Sequence, residues 1–171
     1  MNNGYADFEG KTIFLGADID LGGKSWIPFG IFKGSFDGLG HKIQGISISY
    51  SKEKQTHFGF FSRTGGSGYI KNTHFVGSIL VQDIIITDNN SKSFYVGGVV
   101  GLCENTGIEN CKCEMPITFG IKDIQISGMI TPTGDINIGG IVGYCKSDIV
   151  LCSPDFGAFN ISKGLTHLKP L

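Results

Sequence analysis

Arg63 is the only arginine in this sequence, and charge of either sign is scarce: 14 Lys and Arg stand against 15 Asp and Glu, charged residues make up 17%, and the formal net charge is −1. Affinity for nucleic-acid phosphates is mostly electrostatic, so a chain without a basic excess is not expected to bind nucleic acid. Anionic membrane surfaces are disfavoured for the same reason. No apolar run approaches the roughly 20 residues of a membrane-spanning helix, and no membrane insertion is expected. The opening MNNGYADFEG lacks the basic and the apolar regions of a signal peptide. Five cysteines are an odd count, which argues against a closed disulfide framework. Helical periodicity is missing too, because apolar residues seldom recur at three- and four-residue spacing for more than one turn and glycine interrupts nearly every window.

What the chain has is glycine, 27 residues of it, and 40% hydrophobic residues, the composition of an ordered, turn-rich fold rather than a disordered one. Short apolar runs at residues 11–15, 19–21, 46–50, 79–86, 94–100, 117–126 and 135–142 are rich in Ile, Val or Phe and bounded by Gly, Asn, Ser or Pro. They predict a nearly all-β chain. The densest glycine stretch, GIFKGSFDGLGHKIQG at residues 30–45, reads as a chain turning corners around buried Phe32, Phe36 and Ile43.

An internal repeat organises these runs. VGGVVGLCENTGIENCKC (96–113) aligns with IGGIVGYCKSDIVLC (138–152), placing Gly98 on Gly140, Gly101 on Gly143 and Cys103 on Cys145. A one-residue gap then brings Ile108 onto Ile149 and Cys111 onto Cys152. A blurred copy at residues 57–75 sets Gly59 at the place of Gly98, Ser62 at that of Gly101, and Ile70-Lys71-Asn72 at that of Ile108-Glu109-Asn110. Three copies about 40 residues apart imply a solenoid or propeller, and the chain is too short for a closed ring of blades. The expected architecture is a single all-β domain, residues 1–171, forming a right-handed parallel β-helix. Two coils of roughly 20 residues per repeat give roughly seven coils, with 154–171 a less regular tail.

The order ADIDLGGKSWIPFG (17–30), FKGSFDGLGHKIQGISI (32–48), VGGVVG and IGGIVG resembles bacterial β-helix domains carrying GLUG motifs. The resemblance covers about residues 8–153. It implies a pectin-lyase-like right-handed parallel β-helix, a module or fragment of a longer secreted or cell-surface protein with adhesin-like or carbohydrate-associated roles. It also implies an extracellular or cell-surface location. Two residues depart from the pattern: Leu39 stands where a turn residue such as Asn is usual, and Ser62 replaces a repeat glycine.

Candidate residues for chemistry are few. Asp18 and Asp20 alternate about Ile19 and share one strand face, as sugar or calcium ligands do; the alternative is a solvated face with Ile19 inward. Asp37, Gly38, Gly40 and His41 read as a structural turn, since a turn carboxylate bonding nearby amides is commoner than half of a catalytic set. Trp26, Tyr69 and Tyr95 are candidate sugar-stacking rings, with Trp26 packed over the first coils as the alternative. The cysteines read as stacked buried thiols, as disulfides or as metal ligands, the first being favoured because the close pair is C-x-C and not CxxC. Arg63, in RTGGSG, has no acidic cluster beside it in the sequence. No catalytic set, metal site or cofactor is expected. Interior positions are assigned to Ile13, Leu15, Leu21, Phe36, Ile46, Ile48, Phe60, Val99, Val100, Ile141 and Val142.

The function that follows is a non-catalytic binding or spacer module whose partner is an extracellular polysaccharide or a host or cell-surface protein. The alternative is a polysaccharide lyase or hydrolase of the pectin-lyase type, supported by fold analogy alone.

Overall fold

The computed structural model describes residues 7–50, 55–87, 93–125, 135–147, 149–154 and 159–163. Among them the chain is all-β, without a helix, and every strand pairing is parallel. Three sheets result. A three-stranded sheet joins His57–Phe58, Phe94–Gly97 and Ile136–Gly139. A four-stranded sheet joins Phe29–Phe32, Phe61–Thr64, Val100–Cys103 and Val142–Cys145. The third, ten-stranded sheet is built on the 19-residue strand Tyr69–Thr87, flanked by Ser35–Asp37 and Lys42–Tyr50 on one side and by Gly107–Glu114 and Ile117–Gln125 on the other.

From His57 onward each repeat visits the three sheets in the same order, and the register is that of the repeat alignment. Val100 lies opposite Phe61 and Val142, Cys103 opposite Cys145, and Ile108 opposite Ile70 and Ile149. Registered partners therefore lie a whole repeat apart, as with Asn72 and Asn110 (38 residues) or Glu104 and Lys146 (42 residues). This corrects the expectation of two coils per repeat and roughly seven in all. The glycine pairs at 97–98 and 139–140 turn the chain between two sheets and do not return it to its starting edge. Within residues 154–171 the strand Phe159–Lys163 pairs with Ile117–Gln125.

Side-chain alternation puts one face of every sheet into a single core. In Gly107–Glu114, Ile108, Cys111 and Cys113 are buried while Glu109, Asn110 and Lys112 are not. The left-handed Asn110 (φ 48) absorbs the one-residue break in that alternation. Phenylalanine fills the centre: Phe61 lies 4.7 Å from Phe32, 5.1 Å from Phe60, 5.6 Å from Phe36 and 5.7 Å from Phe29, ring centre to ring centre. Of the assigned interior, Leu15, Phe36, Ile46, Ile48, Phe60, Val99, Val100 and Ile141 are buried, whereas Ile13, Leu21 and Val142 are only partly covered. Ile19, expected inward, is 39% exposed, because Ile19–Asp20 pairs on one side alone among the described residues.

Candidate functional site

The corner at Asp37–His41 carries the polar organisation of the molecule. Asp37 is buried, and its Oδ1 accepts hydrogen bonds from the Leu39 amide and from Asn72 Nδ2, both at 3.0 Å, while Lys71 Nζ stands 3.5 Å from Oδ2. Burial pushes this carboxyl up, but the Asn72 and Leu39 hydrogen bonds and the Lys71 ammonium outweigh it and hold its pKa below the ordinary value. Asn72 in turn accepts from Asn110 Nδ2 at 2.9 Å. The result is a polar ladder, Asp37–Asn72–Asn110, climbing three neighbouring strands of one sheet. Its corner residues share the left-handed conformation: Leu39 (φ 52), Gly40 (φ 85), Asn72 (φ 53), Asn110 (φ 48) and Leu151 (φ 54). Asn tolerates that region; leucine strains in it.

Asp37 and His41 stand at the two ends of a turn closed by the His41 amide donating to the Gly38 carbonyl at 2.8 Å, and their side chains find partners on other segments. His41 Nδ1 lies 3.1 Å from Asp18 Oδ1, which also accepts from the Lys42 amide at 2.9 Å. Asp20 takes the Gly22 amide at 2.8 Å and Gln44 Nε2 at 2.7 Å. Asp18 and Asp20 are each occupied in joining the segment around Ile19–Asp20 to Lys42–Tyr50. Gly38 is closed to any side chain, since a Cβ there would lie 2.2 Å from Thr73 Oγ1 and 2.5 Å from the Asn72 carbonyl.

The three candidate rings do not form one platform. Trp26 stacks on Phe60 at 4.4 Å and 10°, donates its Nε1–H to the Phe60 carbonyl at 2.9 Å, and meets Phe29 edge-on. One face of the indole is thus committed to packing. Tyr69 lies in the ten-stranded sheet under the Lys71 ammonium, 4.4 Å from its ring centre. Tyr95 belongs to the three-stranded sheet, stacked on His57 at 5.2 Å and edge-on to Tyr144 at 5.8 Å. His57 and Tyr95 are registered partners about one repeat apart, and Tyr144 reaches Tyr95 from the four-stranded sheet, so the cluster was hidden in the sequence.

Arg63 likewise gains an acid that the sequence did not show beside it. Its Nε donates to Glu104 Oε2 at 2.9 Å and one Nη reaches the same oxygen, while Lys146 Nζ is 3.5 Å from Oε1. The Arg63 hydrogen bonds hold Glu104 below the usual range.

Beside the polar ladder runs a groove of about 340 Å³ lined by Asn72, His74, Asn110, Lys112, Leu151 and Ser153, among others. His74 and Lys112 line it at one register position, which Lys42 shares on the strand beyond His74. Glu114 bonds to Lys112 and stands 3.2 Å from His74 Nε2; the Lys112 contact draws its pKa down.

Among the described residues, no three His, Cys, Asp or Glu side chains converge as a metal cluster would require. Each carboxylate with a resolved shift, Asp7, Asp18, Asp20, Asp37, Glu104 and Glu114, is shifted downward. No family model, curated protein or solved structure matches this chain.

Proposed function

We propose that this chain is a right-handed parallel β-helix of the GLUG type acting as a non-catalytic binding and spacer module of a secreted or surface protein, with an acidic polysaccharide along its ladder groove. Parallel pairing at whole-repeat register supports the coil, one turn per repeat, and its right hand follows from the general handedness of parallel crossovers. The observation that carries the binding reading is the groove itself. It is lined by the amides of Asn72 and Asn110 and by the His74 and Lys112 side chains, at the strand spacing of about 4.8 Å. Amides bond sugar hydroxyls, and the Lys112 ammonium offers hydrogen bonds to carboxylates along a polymer, with the His74 ring beside it. A sheet corner presents such groups at fixed intervals, so affinity accumulates over several sugar units without any rearrangement of the protein.

The test is retention of the intact chain on immobilised acidic and neutral polysaccharides, with Lys112→Ala and His74→Ala compared under native conditions. Selective retention on acidic polymers, weakened by either substitution and by salt, is expected. Retention that both folded variants keep unchanged removes the groove from the reading. Capture of a cell-surface protein instead of any polysaccharide points to the other class of partner.

A further inference from the structure

Cys111 and Cys152 occupy the same place on adjacent strands. Lys112 is registered with Ser153, which sets the two cysteines side by side, and neighbouring parallel strands run about 4.8 Å apart, inside the Cα separation of a disulfide. Their side chains are also oriented alike. Each follows a left-handed corner residue, Asn110 or Leu151. Each thiol points back to the carbonyl two residues before it at 3.4 Å, Cys111 to Glu109 and Cys152 to Val150. Each also reaches a carbonyl on the preceding strand at 3.7 Å, that of Ile70 or Ile108. Thr73, one strand earlier, makes the same bond to Lys71. The two side chains are thus stacked, each making the same pair of carbonyl contacts. Cys111 is buried and Cys152 is half-exposed at the outer end of the stack.

We propose that Cys152 and Cys111 form a redox-active dithiol that exchanges with low-molecular-weight disulfides, Cys152 being the attacking and Cys111 the resolving sulfur. Cys152 thiolate attacks one sulfur of the small disulfide RSSR, forming a mixed disulfide and releasing one thiolate, which takes up a proton. Cys111 then gives up its thiol proton and attacks the Cys152 sulfur, expelling the second RSH. Two protein thiols and RSSR thus become one intramolecular disulfide and two RSH.

The division of labour follows from the environment. The hydrogen bond from Cys111 stabilises a Cys152 thiolate and draws its pKa down to about 7, although burial and the Glu109 carboxylate act against it. Holding that same bond, and burial, push the Cys111 thiol up. Cys113, on the same strand, is pushed up to about 12 by burial and stays inert. Cys103 and Cys145 share a register too, and their thiols donate to the carbonyls of their own turns, Thr106 and Ser147, at 3.1 Å, closer than the 3.4 Å contacts that Cys111 and Cys152 make to Glu109 and Val150. The crosslink ties Ser153–Pro154 to Gly107–Glu114.

The reduced full chain is exposed to oxidised glutathione at neutral pH, quenched by alkylation, and read by intact mass and peptide mapping. Loss of two hydrogen masses and a single Cys111–Cys152 linked peptide are expected. Cys152→Ser keeps all its thiols reduced, and Cys111→Ser stops at a glutathione adduct on Cys152. Because Cys111→Ser alters a buried site, native iodoacetamide labelling of the unaltered chain gives a second measurement, with Cys152 modified about tenfold faster than any other cysteine. The proposal is overturned if Cys152→Ser oxidises like the parent, if the linked peptide joins Cys103 to Cys145, if no thiol is lost, or if Cys152 labels no faster than the rest.

Discussion

The glycine pattern of the repeat makes a quantitative prediction about two alanine substitutions that look equivalent in the sequence. A Cβ on Gly98 would lie 2.2 Å from Cys113 Sγ and 2.4 Å from the Gly140 carbonyl oxygen, whereas one on Gly107 meets nothing within 4 Å. The sulfur can shift, but the Gly140 oxygen is backbone and accepts the Gly98 amide at 3.1 Å, so relief at Gly98 separates two registered strands. Either substitution removes unfolded-state freedom worth about 0.4–1 kcal/mol in favour of the fold. At Gly98 that gain is set against an overpacking cost of about 1–3 kcal/mol or more. Gly107→Ala should therefore match or exceed the parent, and Gly98→Ala should fall below it, the common gain cancelling so that the two variants differ by about 1–3 kcal/mol or more. For a chain of this size that separates their melting midpoints by on the order of 10 °C. Urea unfolding followed by circular dichroism measures both variants in parallel. Equal midpoints would refute the claim that glycine is required at Gly98 by close approach of the next repeat.

Other consequences are open to the same assay. Leu39 and Leu151 hold left-handed conformations while 56% and 78% exposed, so Leu39→Asn and Leu151→Asn should each stabilise by up to about 1 kcal/mol, and a lower midpoint in either speaks against corner strain. Phe61→Ala, which empties a site ringed by Phe29, Phe32, Phe36 and Phe60, should cost about 3–5 kcal/mol, and a loss under 1 kcal/mol would mean that the ring cluster is loosely packed. Asp37 has a folded-state pKa below its unfolded value of about 3.9, so its contribution is complete above that value and is lost as pH falls through the folded pKa. Asp37→Asn should flatten the decline in stability below about pH 4, and an unchanged acid limb would show that this carboxylate is not responsible.

The sequence by itself determined the class of structure and the register. Glycine density and short β-branched runs exclude helix, and the spacing of Gly59, Gly98 and Gly140 foretells which residues face each other, down to Cys103 opposite Cys145 and Ile108 between Ile70 and Ile149. These features are legible because a repeated pattern must stack like upon like to bury one continuous core. Partners of polar side chains were not legible. Arg63 finds Glu104, Asp37 finds Asn72 and Asp18 finds His41, each pair too far apart along the chain for a local reading to join. The role of each glycine corner was not legible either, because it looks the same in sequence whether the chain bends between sheets or returns to the edge it left. Only the tertiary structure decided these points. Neighbours across a parallel sheet are set by where the chain returns, and the groove, the polar ladder and the stacked Cys111–Cys152 pair exist only where successive returns align.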